Sequence, residues 1–148
     1  MSLAIIIVTI TILDQFIKMK ILDKLAPYKS IEVIKNFFYL TYVENTGISF
    51  GLFKGNRITF IILTIIVCII LFYFLYKFRN TNKVIAICIA FILGGAIGNL
   101  IDRIRLGYVI DYIHFTFFPP VFNLADAAIV CGAIALSAIL VFNKNVEF

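Results

Sequence analysis

At 148 residues, 63% of them hydrophobic and only 14% charged, with a mean hydropathy of +1.08, the chain has too little polar surface to cover a soluble fold. The length suits one compact unit, and the class left standing is an integral membrane protein. The net charge of +5 does not point to nucleic acid: no basic stripe interleaved with aromatics stands out on a polar face, and the Lys and Arg sit beside apolar runs, where anionic headgroups attract them.

The first span is read over about residues 3–22, long enough for a core of about 30 Å at about 1.5 Å per residue. A cleaved signal peptide would want basic residues before the apolar core and a small-x-small site after it; here the basic residues come after. Asp14 and Lys18 stand at i and i+4 in the favourable acid-first order. They suit either a self-neutralising pair near the interface, with Lys18 snorkelling outward, or a role inside the bundle.

Residues 25–57 form a long connection of mixed polarity, opened by Pro27 and Lys29. Its FFYLTYV stretch alternates and suggests short strands. The ENTGISFGLFKGN run that follows sets the turn formers Asn45, Gly47, Gly51 and Gly55 among Phe and Leu. Such a segment folds back along the membrane surface, either as a cover for a site that binds extended peptide or as a plain interfacial loop.

A second span over about 58–76 ends in an aromatic belt, and the short basic loop FRNTNK leads to a third over about 84–101. Gly94 and Gly98, four apart, let another helix approach closely. The fourth span covers about 123–142 and carries a small-residue patch at Cys131, Gly132 and Ala133. Cys68, Cys88 and Cys131 all lie in apolar runs and read as small apolar side chains. The expected fold is therefore an all-α polytopic membrane protein, a single domain over 1–148. It has four transmembrane helices and a small β-containing, amphipathic segment between the first two. Four spans put both termini on one side. Of the 13 Lys and Arg, four lie on the terminus-and-short-loop side and nine on the other, a raw count that would set the long connection in the cytoplasm, whereas the basic short loop argues the reverse.

The chemistry concentrates between Gly94 and Asp126, where Asp102, Asp111 and Asp126 occur among apolar residues that make charge expensive. Asn99, Asp102 and Arg103 fall at i, i+3 and i+4 on one helix face, Asn123 and Asp126 at i and i+3 on the next, and Asp111 in the link within YVIDYI. Two carboxyls brought together in a low-dielectric pocket tend to share one proton, and such a pair can hydrolyse a peptide. Three readings fit these residues: a catalytic dyad of Asp111 and Asp126, a proton or ion pathway using the same carboxylates, and a structural polar network. Asp102 and Arg103 would support the site, and Asn45, Asn99 and Asn123 could hydrogen-bond a peptide backbone. The single His114 has no Ser or Cys partner and reads as a polar anchor.

LDQFIK, ENTGISFG, GGAIGNLIDR, GYVIDYI and FNLADAAI, in this order and spacing, make the chain similar to the bacterial lipoprotein signal peptidases (signal peptidase II). The resemblance implies an aspartic endopeptidase of the bacterial cytoplasmic membrane that cuts diacylglyceryl-modified prolipoproteins just before the lipidated cysteine. It implies Asp111 and Asp126 as the catalytic pair. Asp14, Lys18, Asn45, Gly47, Asn99, Asp102, Arg103, Asn123 and Ala125 match positions that shape or support the site. It also implies cytoplasmic termini, a site near the outer face, a monomer among membrane lipids, and neither metal nor cofactor. The sequence departs from the family pattern in three places. Basic residues are missing before the first span, Ser49 replaces an Ala, and FTFFPP stands where a longer polar insertion is usual.

Overall fold

The computed structural model describes residues 2–47 and 57–142. Ser49, Gly51, Gly55 and the NKNVEF tail lie outside the described residues, and with them most of the expected cover. The elements, in chain order, are α1 (Leu3–Lys24), β1 (Ser30–Ile34), β2 (Phe38–Asn45), α2 (Arg57–Phe78), α3 (Lys83–Arg105), β3 (Val109–Phe115), β4 (Phe118–Phe122) and α4 (Leu124–Phe142).

α3 is the hub, with α1, α2 and α4 packed around it. It buries twelve residues, whereas α2 buries only Phe60, Cys68 and Phe78. Small side chains explain the difference. Gly94 faces Ile10 and the carbonyl of Ile7 in α1, while Gly95 lies against the carbonyl of Ala125 in α4. The expected small patch on α4 behaves likewise, since Gly132 abuts the Cys88 carbonyl of α3. Away from α3 the surface is hydrocarbon: Ile62, Leu63, Ile66 and Ile69 of α2 stand exposed, which suits lipid rather than water.

Among the described residues, α2, α3 and α4 are long and apolar enough to cross a membrane. α1 equals α2 at 22 residues, but its second half carries Asp14, Lys18, Lys20, Asp23 and Lys24, which lowers its hydropathy.

The strands extend the expected fold. They were placed only between the first two helices, yet β1 and β2 from that connection join β3 and β4 from the link between α3 and α4. Together they form one antiparallel sheet of order β1-β2-β3-β4. Pro119 and Pro120 fall in β4, an edge strand, where a missing N–H is tolerated. Gly107, at φ +89°, takes the left-handed backbone that turns α3 into β3. The sheet closes over the end of α1, where Ile110 and Tyr112 bury against Ile21 and Leu25.

Candidate active site

Asp111 and Asp126 reach the site from different elements, and Asn123 joins them. Asn123 opens α4: its Oδ1 accepts from the Asp126 N–H at 2.8 Å, and Asp126 Oδ2 accepts from the Asn123 N–H at 3.3 Å. This reciprocal cap satisfies donors that a helix start leaves open. The other end of the same amide, Nδ2, donates to Asp111 Oδ1 at 2.6 Å, to Asn99 Oδ1 at 3.2 Å and to the Ile110 carbonyl at 3.3 Å.

The remaining oxygens are held as firmly. Asn45 faces Val109 in the β2–β3 ladder, two positions from Asp111 and so diagonally on the same face. Its Nδ2 donates to Asp111 Oδ2 at 2.8 Å, while its Oδ1 accepts from the Gly47 N–H at 3.1 Å. Asn99 Nδ2 donates to Asp126 Oδ1 at 2.7 Å. All four carboxyl oxygens of the pair thus have a fixed donor. Asp111 is buried, whereas Asp126 is partly open. Burial, and then the negative charge of Asp126, push the Asp111 carboxyl up to about 7, against the hydrogen bonds from Asn45 and Asn123, which pull it down.

Behind the pair lies a buried charge cluster. Lys18 Nζ is 2.9 Å from Asp14 Oδ2 and 2.9 Å from Asp102 Oδ2, and it donates to Asn99 Oδ1 at 2.9 Å. Lys18 is 1% exposed, so it does not snorkel; two carboxylates from two helices hold it inside. Asp14 Oδ1 accepts from the Ala125 N–H at 3.0 Å and Asp102 Oδ2 from the Ile110 N–H at 3.2 Å, which ties the cluster to both strands of backbone that carry the pair. Asp102 therefore pairs with Lys18, not with the adjacent Arg103. Arg103 stacks over Phe60, 5.3 Å from the ring centroid, and lies within electrostatic reach of Asp126 and Asp111.

Every supporting residue expected from the sequence is thus in or beside the cluster. His114 is not: it stands three residues past Asp111, on the opposite face of β3, 3.2 Å from Thr41 Oγ1. Gln15 was not singled out in the sequence. Its Nε2 donates to Asp102 Oδ1 at 2.8 Å and to the Gly98 carbonyl at 3.1 Å. Thr11, Asp14, Gln15 and Lys18 fall at i, i+3, i+4 and i+7, a polar stripe in an apolar helix that would have revealed it. Among the described residues no group of three or more His, Cys, Asp or Glu side chains is arranged to hold a metal ion.

Known proteins resemble this chain in sequence and in fold. The sequence model of the signal peptidase (SPase) II family matches residues 6–142. The chain is 49% identical to a lipoprotein signal peptidase of Caldanaerobacter subterraneus subsp. tengcongensis over 98% of its own length and 100% of that protein's. It is 45% identical to one of Halothermothrix orenii, with 89% and 90% covered. A solved structure described as a bacterial membrane enzyme superposes with a TM-score of 0.88 at 33% identity, covering 99% of this chain and 93% of that one. On these matches, the chain belongs to the signal peptidase II family.

Proposed function

We propose that the protein is an aspartic endopeptidase of the bacterial cytoplasmic membrane that removes signal peptides from diacylglyceryl-modified prolipoproteins, cutting on the N-terminal side of the lipidated cysteine. The observation that carries this reading is the single amide of Asn123 that caps Asp126 and binds Asp111. It couples two carboxyls, one buried and one partly open. Burial and the neighbouring Asp126 push the Asp111 carboxyl up to about 7, which favours Asp111 as the holder of the shared proton and leaves Asp126 the role of base.

The steps balance. Asp126 takes a proton from water as the water oxygen attacks the scissile carbonyl, and Asp111 gives its proton to the carbonyl oxygen. The tetrahedral diol then collapses: Asp126 returns its proton to the departing nitrogen, and Asp111 recovers one from the diol. Each carboxyl ends as it began. Asn45 and Asn99 keep both in line. α1 serves as the fourth span: Asp14 and Lys18 turn inward, Lys18 to Asp102 and Asn99, and its exposed charges, Lys20, Asp23 and Lys24, are confined to its last five residues. The termini lie in the cytoplasm and the dyad near the outer face.

The placement of charge counts against an ion pathway. Leu3–Leu13, Val84–Gly98 and Ala127–Phe142 contain no Asp, Glu, Lys, Arg or His, so a relay would have no carrier through that half of the bundle. A gel-shift assay on a diacylglyceryl-modified prolipoprotein tests the reading with wild type, Asp111→Asn and Asp126→Asn. Wild type should yield the shorter product, and each variant should lose at least a thousandfold in rate while still inserted in the membrane. Turnover by folded Asp111→Asn within tenfold of wild type would refute the assignment.

A further inference from the structure

Two residues in the first turn of α2 reach a single residue of α3 from opposite ends. Arg57 and Phe60 stand at i and i+3, so they share a helix face. Arg57 holds the backbone end. Its Nε donates to the Arg103 carbonyl at 2.7 Å, and its Nη2 donates to the Ile104 carbonyl. A helix leaves its last four carbonyls without partners of its own. In α3 the Leu106 N–H donates to the Asp102 carbonyl, and the fork of Arg57 serves the next two. The same side chain lies along Gly107, where a Cβ would stand 3.7 Å from Arg57 Cδ. The end of α3 is thus fastened to α2 just before the chain turns into β3.

Phe60 holds the side-chain end. It is one of the three residues that α2 buries, and its ring lies under the Arg103 guanidinium. Arg103 Nη1 donates to the Asn99 carbonyl at 3.4 Å, so the side chain runs back along α3 toward the residue whose amide holds Asp126. Among the described residues both direct ion pairs belong to Lys18. Arg103 is therefore kept in place by a ring and a carbonyl, not by a carboxylate. The acids that its charge reaches are Asp126 of α4, Asp111 of β3 and Asp102 of its own helix. From α1, Lys18 acts on Asp111 as a second cation, itself matched by Asp14 and Asp102. Tyr112 of β3 also faces the pair, its Oη accepting from the Leu124 N–H.

We infer that Arg57 and Phe60 are positioning residues for Arg103: the fork fixes the helix end that carries it, and the ring holds its guanidinium toward Asp126 and Asp111. The inference deepens the reading of that pair as the catalytic dyad and rests on it for its bearing on the reaction. A cation kept beside the pair favours charge on it, whereas a cation free to turn toward water does not. Phe60 acts on the pair only through Arg103.

The chain has five Asp, so carboxyl 13C NMR of Asp-labelled protein in detergent can follow Asp111, with Asp111→Asn identifying its signal. This measurement needs no turnover. Wild type should titrate at about 7. Phe60→Leu should titrate higher, by roughly half a pH unit or more, as an opposite charge withdraws. Phe60→Tyr keeps the ring face and should stay within about 0.2 unit of wild type. Arg57→Lys keeps the charge but loses the fork, and should move in the same direction as Phe60→Leu. Adding Phe60→Leu to Arg103→Gln should change nothing beyond Arg103→Gln alone, since the ring then has no guanidinium to hold. Thermal unfolding confirms that each variant is folded; should Phe60→Leu fail there, Arg57→Lys, at an exposed position, carries the test. An Asp111 titration unmoved or lowered in either folded variant would overturn the inference alone, as would a Phe60→Leu effect that persists beside Arg103→Gln. A wild type that titrates as described but cuts no prolipoprotein would overturn the peptidase reading and leave the positioning of Arg103 standing.

Discussion

Asp111 is where burial becomes a pH dependence. Its carboxyl is pushed up to about 7, first by burial and then by the charge of Asp126. If the proposed dyad is the catalyst, the proton on Asp111 is lost above that value, and kcat/KM should fall about tenfold per pH unit. The bond from Asn45 favours the charged form, so Asn45→Ala raises the Asp111 value and should move the alkaline limb to higher pH. A limb that moves down, or a flat profile through pH 8, would exclude Asp111 as the proton holder. Lys18 shows the companion effect. Lys18→Met would strand Asp14 and Asp102 in a dry interior, a loss of roughly 3–5 kcal/mol for a broken buried pair. Thermal unfolding in detergent should show a clearly lowered Tm, and adding Asp14→Asn should recover part of it. Losses that simply add would mean that Lys18 and Asp14 act independently.

Among the elements, α3 and α4 are separated by less than a methyl group. A Cβ on Gly95 would stand 2.3 Å from the Ala125 carbonyl oxygen, a backbone atom that cannot rotate away. Gly95→Ala therefore forces the helices apart, at about 1–3 kcal/mol by the usual penalty for overpacking, and it moves the segment that carries Asp126. Activity should drop at least tenfold with a lowered Tm; a fully active, equally stable variant would show that the contact is looser. Sequence reading caught Gly94 and Gly98 because their spacing is a helix–helix signature, but Gly95 lies outside that spacing and matters through α4, a partner that periodicity does not name. The strands behave similarly. FFYLTYV and YVIDYI each look extended, yet their pairing spans more than sixty residues of chain, and no local pattern encodes it.

Across the whole molecule, the hydrophobic runs mark the four helices to within a few residues. Asp111, Asp126 and their asparagines stood out for the same reason: polar groups among apolar ones are conspicuous. What stayed hidden was partnership. Asp102 reads in the sequence only as a support for the site, whereas the fold gives it to Lys18, 84 positions away in the chain, where one buried cation answers two buried carboxylates. Asn123 joins two roles in one side chain. One amide both starts α4 and grips Asp111, so fraying of that first helical turn and separation of the two carboxyls are the same event. An inhibitor that grips both carboxyls would also pin the first turn of α4, and the enzyme is disarmed by loosening a helix end long before it unfolds.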